Sequence, residues 1–397
     1  MKPLEDELHD RLRELAAAGL ARTLRPASGI DFSSNDYLGL GRDPALRKAL
    51  AHRIASLGAE VPWSAPSSRL LRGETAAHAA LERRLARLKG CEAALLFPSG
   101  YQANLGLVTA LVGPADRVLS DAQNHASLID ALRLSGCRKV IFPHLDRAAV
   151  ERELAVPHAG GRTFLLTESL FSMDGDIAPL ADYAALAERH GAELLVDDAH
   201  AFGLFGPRGS GLVEEAGLAG VPAAVVATFG KALGVAGAFV AGSRVLVDYL
   251  VNRCRPFVFT TALSPLLVHA IDCALDRAEG DPGLRAQAHA RSAQLRQRLR
   301  DLGVPGVIGG APGGDGRGPI VPVVLGDNER AVAVAALLSA AGFDVRAVRP
   351  PSVAPGSARL RLSVHADHTE AEVDALAEAI ARAVADLPAA AVRGAGA

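Results

Sequence analysis

The stretch Glu193-Leu194-Leu195-Val196-Asp197-Asp198-Ala199-His200 joins a short apolar run to two carboxylates and an imidazole. Such a run is typical of a strand that is buried on both faces of a parallel sheet. In open α/β sheets, ligands bind beyond the carboxyl ends of the strands. The stretch therefore predicts an α/β fold with Asp197 and His200 at a ligand-binding edge, although a strand-end aspartate that only caps a loop gives the same pattern.

Apolar runs of the same kind alternate with amphipathic helical patterns along the middle of the chain. The predicted strands are 93–97, 117–120, 140–143, 164–167, 194–196, 224–227 and 238–241. The predicted helices between them include 74–88, 104–111, 127–134 and 180–190. This alternation indicates one large α/β domain whose mainly parallel, seven-stranded sheet is covered by helices on both faces.

The pattern changes after residue 264. Helices are predicted at 265–278 and 283–302, followed by a glycine-rich loop at 309–318. Strands at 319–325, 343–347 and 359–364, a helix from Asn328 and a final helix near Thr369 complete a smaller α+β domain. The expected division is an N-terminal segment 1–45, a large domain 46–264, a small domain 265–390 and a flexible tail 391–397.

The composition is that of an ordinary globular protein, with 49% hydrophobic and 22% charged residues and a net charge of −2. This balance argues against a nucleic-acid surface. The four cysteines are scattered without a CxxC pair, and the N-terminal stretch has no apolar signal-peptide core, so a cytoplasmic protein is expected. The apolar segment 221–243 contains Pro222 and Lys231, which favours two buried strands over a membrane span.

Lys231 is the residue that points most directly to chemistry. The chain has five lysines, and Lys231 alone interrupts an apolar run, Thr228-Phe229-Gly230-Lys231-Ala232-Leu233-Gly234, whereas the other four, including Lys89, lie in polar or terminal contexts. An ammonium buried without a partner tends to lose its proton, and the neutral amine forms imines with aldehydes. The alternative is a surface lysine in a tight turn between strands.

Asp197 and His200 become more informative in combination with Lys231, which follows His200 by 31 residues. A carboxylate that keeps the pyridine nitrogen protonated makes the ring of pyridoxal 5′-phosphate (PLP) a strong electron sink. Asp197 suits that role, and His200 is expected to reach the phenolic oxygen of the ring. The combination predicts a PLP enzyme in which Lys231 carries the cofactor as a Schiff base, and no metal site is expected.

Three further motifs follow predicted strands, and each has a structural alternative. The run Phe97-Pro98-Ser99-Gly100-Tyr101-Gln102-Ala103-Asn104 sets a Ser-Gly turn before a helix, where free N–H groups bind phosphate, although the same turn is also an ordinary cap. His125 is suited either to stack on a flat ring or to cap a helix. Ser172 either hydrogen-bonds the cofactor or belongs to a capped loop.

Taken in order, these segments resemble the α-oxoamine synthases, fold-type I PLP enzymes that condense an amino acid with an acyl thioester. The likeness covers nearly the whole chain. Its motifs are Asp31 to Leu40, Ser68-Arg69-Leu70 through Gly73, His125-Ala126-Ser127, Asp197 to His200, Thr228 to Gly234, Arg255-Pro256-Phe257 through Ala262, Leu325-Gly326-Asp327-Asn328, Arg349-Pro350-Pro351-Ser352-Val353 and Ala358 to Leu362.

The resemblance implies a role for each candidate residue. The implied catalytic set is Lys231, His125, Asp197 and His200. The implied cofactor contacts are Gly100, Tyr101, His125, Ser172, Asp197, His200, Thr228 and Lys231, with Thr260 or Thr261 reaching the phosphate from a partner subunit. The implied substrate contacts are Arg22, Asn35, Ser352 and Arg361, of which Asn35 and Arg361 hold the amino acid's carboxylate. A homodimer with shared active sites follows from this scheme.

Within this family the chain most resembles members that condense L-alanine with a pimeloyl thioester in biotin biosynthesis. The acyl carrier, coenzyme A or an acyl-carrier protein, is left open. One alternative is a sister synthase with another substrate pair, such as a glycine C-acetyltransferase. Another is a non-enzymatic module that binds the cofactor, such as the effector domain of a regulator, but no DNA-binding segment accompanies the catalytic set.

One loop departs from the family pattern. Where the family has a glycine-rich loop, this chain reads Trp63-Ser64-Ala65-Pro66-Ser67-Ser68-Arg69. Proline fixes φ where glycine leaves it free. Because the family's loop lies near the substrate entrance, the departure concerns the choice of thioester rather than the cofactor chemistry.

Overall fold

The computed structural model of the protein describes residues 2–308 and 317–387. The predicted tail 391–397 and most of the predicted loop 309–318 lie outside the described residues. The helices are α1 Leu4–Ala17, α2 Pro44–Ala55, α3 Ala76–Lys89, α4 Gly100–Leu111, α5 Ala126–Ser135, α6 Arg147–Ala155, α7 Leu180–His190, α8 Leu212–Glu215, α9 Arg244–Arg253, α10 Arg255–Val258, α11 Pro265–Gly280, α12 Gly283–Asp301, α13 Asn328–Ala340 and α14 Glu370–Asp386. The strands are β1 Ile30–Asp31, β2 Ala93–Phe97, β3 Arg117–Asp121, β4 Arg138–Phe142, β5 Thr163–Glu168, β6 Glu193–Asp197, β7 Ala224–Thr228, β8 Ala238–Gly242, β9 Ile320–Gly326, β10 Phe343–Asp344, β11 Ala347–Val348 and β12 Ala358–Ser363.

The largest sheet of the described residues has seven strands in the order β2-β8-β7-β6-β5-β3-β4. Strand β8 runs antiparallel to β2 and β7, and the pairs from β7 to β4 are parallel. Strands β2, β3, β5, β7 and β8 are buried along their whole length, as their continuous apolar runs predict. The predicted α/β class with a mainly parallel seven-stranded sheet is confirmed.

Local capping sets the ends of the helices around this sheet. The side chain of Ser99 accepts a hydrogen bond from the backbone N–H of Gln102 at 3.3 Å, so helix α4 begins at Gly100 and not at the predicted residue 104. Helix α14 begins after Thr369, which forms a reciprocal capping box with Glu372, and its predicted start is confirmed.

The described chain divides into two compact units. The larger unit contains residues 35–172 and 176–287, and the smaller unit contains the described residues up to 34, residues 173–175 and those from 288 onward. Helix α11 belongs to the larger unit because it packs against α2 and α3. The domain bounds at 45/46 and 264/265 remain a prediction from the sequence.

The smaller unit has its own sheet and core. Its antiparallel sheet has the order β11-β12-β9, and helices α13 and α14 contribute Leu338 and Leu376 to the core beneath it. The strand predicted at 343–347 is in fact two short strands, β10 and β11. Strand β10 pairs with β1 instead of joining the larger sheet of this unit, a long-range pairing that the local pattern does not reveal.

No helix in the described ranges is both long and apolar enough to cross a membrane. The apolar segment 221–243 forms strands β7 and β8, as predicted.

A buried ion pair links the end of α3 to the end of β6. Lys89, which was expected in a polar context, is only 4% exposed, and its Nζ donates to Asp198 Oδ2 at 2.7 Å and to the carbonyl of Ser210. Asp198 Oδ1 also accepts from the Ser169 hydroxyl at 2.6 Å. A Cβ on Gly211 would lie 1.9 Å from Asp198 Oδ2, so only glycine allows this approach.

Replacing Lys89 with methionine is expected to destabilise the fold strongly. Removing one partner leaves an uncompensated buried charge on Asp198, which costs about 3–5 kcal/mol of unfolding free energy. Urea denaturation monitored by circular dichroism measures this change. The matched control, Lys48→Met at an exposed position of α2, should stay within about 0.5 kcal/mol of the original chain. Equal stability of the two variants would contradict the structural role of the ion pair.

Candidate active site

Lys231 lies in the turn between β7 and β8. The turn is closed by backbone hydrogen bonds from Phe229 to Gly237 and from Gly234 to Lys231, both at 2.9 Å. Gly234 has φ +65°, and a Cβ there would lie 2.7 Å from the amide nitrogen of Gly41. Lys231 itself is half-buried. Its apolar neighbours in the sequence predict a buried lysine, so the residue is more exposed than predicted.

Asp197 is the last residue of β6 and is buried. Its Oδ2 accepts a hydrogen bond from Asn104 Nδ2 at 2.6 Å, and its Oδ1 accepts from the backbone N–H of Ala199 at 3.0 Å. Asn104 Nδ2 also donates to the hydroxyl of Ser127 at 2.9 Å. Donors on both oxygens fix the direction of the Asp197 carboxyl.

His200 and Asn35 are brought together by a residue that sequence reasoning did not single out. The hydroxyl of Tyr37 lies 2.8 Å from His200 Nδ1 and donates to Asn35 Oδ1 at 3.1 Å. Tyr37 and His200 are both buried. The only sequence signal for Tyr37 was its place in the motif Asp31 to Leu40.

His125 is the N-cap of α5. Its Nδ1 accepts from the backbone N–H of Ser127 at 3.2 Å and lies 2.8 Å from the Ser127 hydroxyl. The surface of His125 is partly accessible, but the surrounding protein desolvates the ring and so lowers the pKa of His125. The negative charge of Asp197 opposes this decrease, and the positive charge of Lys231 adds to it. His125, Asp197 and Lys231 are therefore close enough to influence one another's protonation.

The predicted phosphate-binding residues also meet around the start of α4. A Cβ on Gly100 would lie 3.6 Å from Thr228 Cβ, which places Thr228 beside the first turn of the helix. Gln102 Nε2 donates to Thr260 Oγ1 of the same chain at 3.3 Å. Tyr101 is partly exposed, and its hydroxyl donates to Asp130 Oδ2 at 2.5 Å. The first turn of this helix offers free N–H groups to an anion.

The remaining candidates are divided between the two units. Ser172 is buried after β5, and Thr261 is exposed; both belong to the larger unit. The smaller unit holds Arg22, Ser352 and Arg361. Arg361 is buried in β12 and donates from Nη1 to the hydroxyl of Ser363 at 2.8 Å. Ser352 is exposed.

Arg22 borders a cavity of about 440 Å³ in the smaller unit. Arg25, Arg346 and Arg349 line the same cavity. Asp344 also lines the cavity and pairs with Arg346 at 2.7 Å, so the lining keeps a net positive charge, which suits an anionic group.

A cationic histidine stabilises the loop that follows Ser172. His144 Nδ1 lies 2.7 Å from Asp121 Oδ1, and its Nε2 lies 2.8 Å from Asp176 Oδ2. Burial works to lower the pKa of His144, but the hydrogen bonds and charges of the two aspartates outweigh it and raise the pKa to about 9. His144 is therefore protonated at neutral pH.

The chemistry of these side chains fits PLP. An amine, an oriented carboxylate and the start of a helix occur together in the larger unit, and they match the aldehyde, pyridine nitrogen and phosphate of that cofactor. Within the ranges 2–308 and 317–387, no cluster of His, Cys, Asp and Glu is suited to hold a metal ion.

Comparison with known proteins decides the family. A family model described as aminotransferase class I and II matches residues 27–380. The 8-amino-7-oxononanoate synthase of Anaeromyxobacter dehalogenans is 43% identical over 98% of this chain and 98% of that relative. The synthase of Chromohalobacter salexigens is 46% identical over 89% of this chain and 88% of its own.

The chain belongs to the 8-amino-7-oxononanoate synthases, within the class I and II aminotransferase family. Solved structures agree with this membership. A serine palmitoyltransferase variant from S. paucimobilis with a bound PLP–myriocin aldimine superposes with a TM-score of 0.87 at 28% identity, covering 98% of this chain and 99% of that chain. The 8-amino-7-oxononanoate synthase of Francisella tularensis gives a TM-score of 0.76 at 25% identity, covering 90% of this chain and 98% of that chain. The expected fold-type I class is confirmed.

Raising the pH should weaken the His144 cluster. The pKa of His144 is about 6.5 in the unfolded chain and about 9 in the folded protein. Protonated His144 therefore stabilises the fold fully below about pH 6.5, and this contribution is lost as the pH rises through about 9. Urea midpoints of the original chain should therefore fall across this window more steeply than those of His144→Gln. His52→Gln, at an exposed position of α2, should retain the steeper fall. Parallel pH profiles for the original chain and His144→Gln would contradict this assignment.

Proposed function

We propose that the protein condenses L-alanine with a pimeloyl thioester to give 8-amino-7-oxononanoate, carbon dioxide and the free thiol of coenzyme A or an acyl-carrier protein, as a step of biotin biosynthesis. The observation that carries the proposal is the Asp197 carboxylate, held by Asn104 and Ala199 in the same unit as Lys231. The synthase relatives at 43–46% identity over most of the chain support the choice of substrates.

The cofactor is pyridoxal 5′-phosphate, which when bound supplies a ring that stabilises negative charge at the Cα of the amino acid. We propose that Lys231 binds it covalently and, once released by the substrate, takes the proton from that Cα. Asp197 holds the proton on the ring nitrogen, and His125 stacks on the ring. His200 and Ser172 face the phenolic oxygen.

The phosphate contacts in this proposal surround the start of α4. Backbone groups of Gly100 and Tyr101 bind the phosphate, and Thr228 meets it beside them; in this structure the Thr228 hydroxyl donates to the carbonyl of Gly237 at 2.8 Å. Thr260 or Thr261 reaches the phosphate from the second subunit of a homodimer. Within one chain, the hydrogen bond from Gln102 holds Thr260 beside the first turn of this helix.

The proposed substrate contacts are Asn35, Arg361, Ser352 and Arg22. Asn35 and Arg361 hold the carboxylate of L-alanine until it leaves as carbon dioxide. Ser352 contacts the acyl substrate, and the arginine-lined cavity at Arg22 suits the distal carboxylate of the pimeloyl chain.

The scattered cysteines are free in the described chain, which supports a reducing cytoplasmic location.

A second substrate pair is favoured by the loop that departs from the family pattern. The Ser67 carbonyl accepts from the backbone N–H of Ala262 at 3.0 Å, and the Trp63 carbonyl accepts from the Ser264 hydroxyl at 2.7 Å. The loop therefore lies beside the segment that contains Thr260 and Thr261, and the Trp63 side chain is 77% exposed. A changed loop at this place favours a sister synthase with another acyl group.

A substrate panel separates the two candidates. The holoenzyme is incubated with L-alanine or glycine and with pimeloyl-CoA, pimeloyl acyl-carrier protein or acetyl-CoA, and products are identified by mass spectrometry. The proposal predicts 8-amino-7-oxononanoate from L-alanine with a pimeloyl thioester as the fastest reaction. Faster turnover of glycine with acetyl-CoA, with no product from the pimeloyl thioesters, would replace it with the sister activity.

Lys231→Ala should lose covalent attachment of the cofactor. Borohydride reduction followed by peptide mapping should place the cofactor on Lys231 in the original chain and on no lysine in the variant. Turnover should fall by about 10²–10⁴-fold or more, because the proton-transferring amine is absent. Lys139→Ala, at an exposed position of β4, should keep both properties. Finding the reduced cofactor at another residue would end the assignment of Lys231.

A further inference from the structure

Glu168 is a buried acid next to Asp197 that none of the preceding roles uses. It is the last residue of β5, only 2% exposed, and it pairs in register with Asp197 on the adjacent parallel strand. Residues paired in this way point to the same face of a sheet. On that face, Leu166 and Leu195, two residues earlier in each strand, pack in the core with α4 and α5.

The two neighbouring carboxyl groups have unequal hydrogen bonding. Both oxygens of Asp197 accept hydrogen bonds, from Asn104 Nδ2 and from the backbone N–H of Ala199. The Glu168 carboxyl accepts a hydrogen bond from the backbone N–H of His125. Its Oε1 has no hydrogen-bond partner among the described residues. When two adjacent carboxyl groups cannot both ionise, the better solvated one keeps the charge. Here that group is Asp197.

Two other cations of the larger unit are each held by carboxylates of their own. Lys89 is paired with Asp198, and the protonated His144 is held between Asp121 and Asp176. The charge of Lys231 acts on Glu168 and lowers its pKa.

These surroundings set the protonation of Glu168. Burial, together with the charge of Asp197, raises the pKa of Glu168 to about 8; Lys231 and the His125 N–H oppose the rise, and Asp121 adds to it.

We propose that Glu168 is a neutral, proton-bearing acid near Lys231, so that of this pair of carboxyl groups Asp197 carries the negative charge. A second carboxylate would make it harder for the Lys231 ammonium to give up its proton, and the amine must lose that proton before it can attack an aldehyde. Glu168 is thus a positioning residue that acts through the charge state of Lys231. The inference rests on the proposed role of Lys231 only for this functional consequence.

Infrared difference spectroscopy of the cofactor-free protein tests the inference without substrate or turnover. The C=O stretching band of a protonated carboxyl should be present at about pH 6.5, should fade as pH rises through about 8, and should be absent in Glu168→Gln. The control Glu193→Gln, whose side chain is 42% exposed and pairs with Arg162, should retain the band. A band that is unchanged in Glu168→Gln, or no band at all in the original chain, would overturn the proposal.

A second variant keeps the test valid if Glu168→Gln does not fold. Lys231→Met removes the positive charge that lowers the pKa of Glu168, so the band should persist to higher pH than in the original chain. A merely structural Glu168 would show no such response. Because neither measurement needs a substrate, failure here is distinguishable from failure of the proposed reaction, which the substrate panel reports separately.

Discussion

The hydrogen bond from Asn104 to Asp197 is the interaction on which the rest of the site depends. It joins α4, whose first turn faces the proposed phosphate contacts, to the end of β6, where the carboxylate lies. The same asparagine bonds to Ser127 of α5, next to His125. One buried amide therefore fixes the relative positions of three elements that each carry candidate functional groups. A carboxylate held in this way is oriented before any ligand binds.

The end of β6 is held from both faces of the sheet. Asp197 points to the face covered by α4 and α5, whereas the next residue, Asp198, meets Lys89 at the end of α3. This division explains why two consecutive aspartates are buried together. Asp197, the proposed partner of the cofactor nitrogen, accepts hydrogen bonds from neutral groups, whereas Asp198 is neutralised by a lysine that takes no part in the proposed reaction. The strand end has little freedom to move under such opposed restraints.

Sequence reasoning succeeded where the information is local. The apolar runs predicted the seven strands of the large sheet, and Asp197, His200 and Lys231 stood out because polar groups follow directly on those runs. It missed contacts between distant segments. Lys89 reads as a polar helix end until the fold places it against a residue 109 positions away. Glu168 reads as an ordinary strand-end acid, because its protonation depends on charges from several strands and loops.

The most direct test of the account is the protonation of the cofactor nitrogen opposite Asp197. The holoenzyme is prepared with pyridoxal phosphate labelled with ¹⁵N in the ring, and its nitrogen chemical shift is measured by NMR in the original chain and in Asp197→Asn. An oriented, anionic Asp197 predicts a protonated ring nitrogen in the original chain and an unprotonated one in the variant. An unprotonated nitrogen in the original chain, or the same shift in both proteins, would contradict the account.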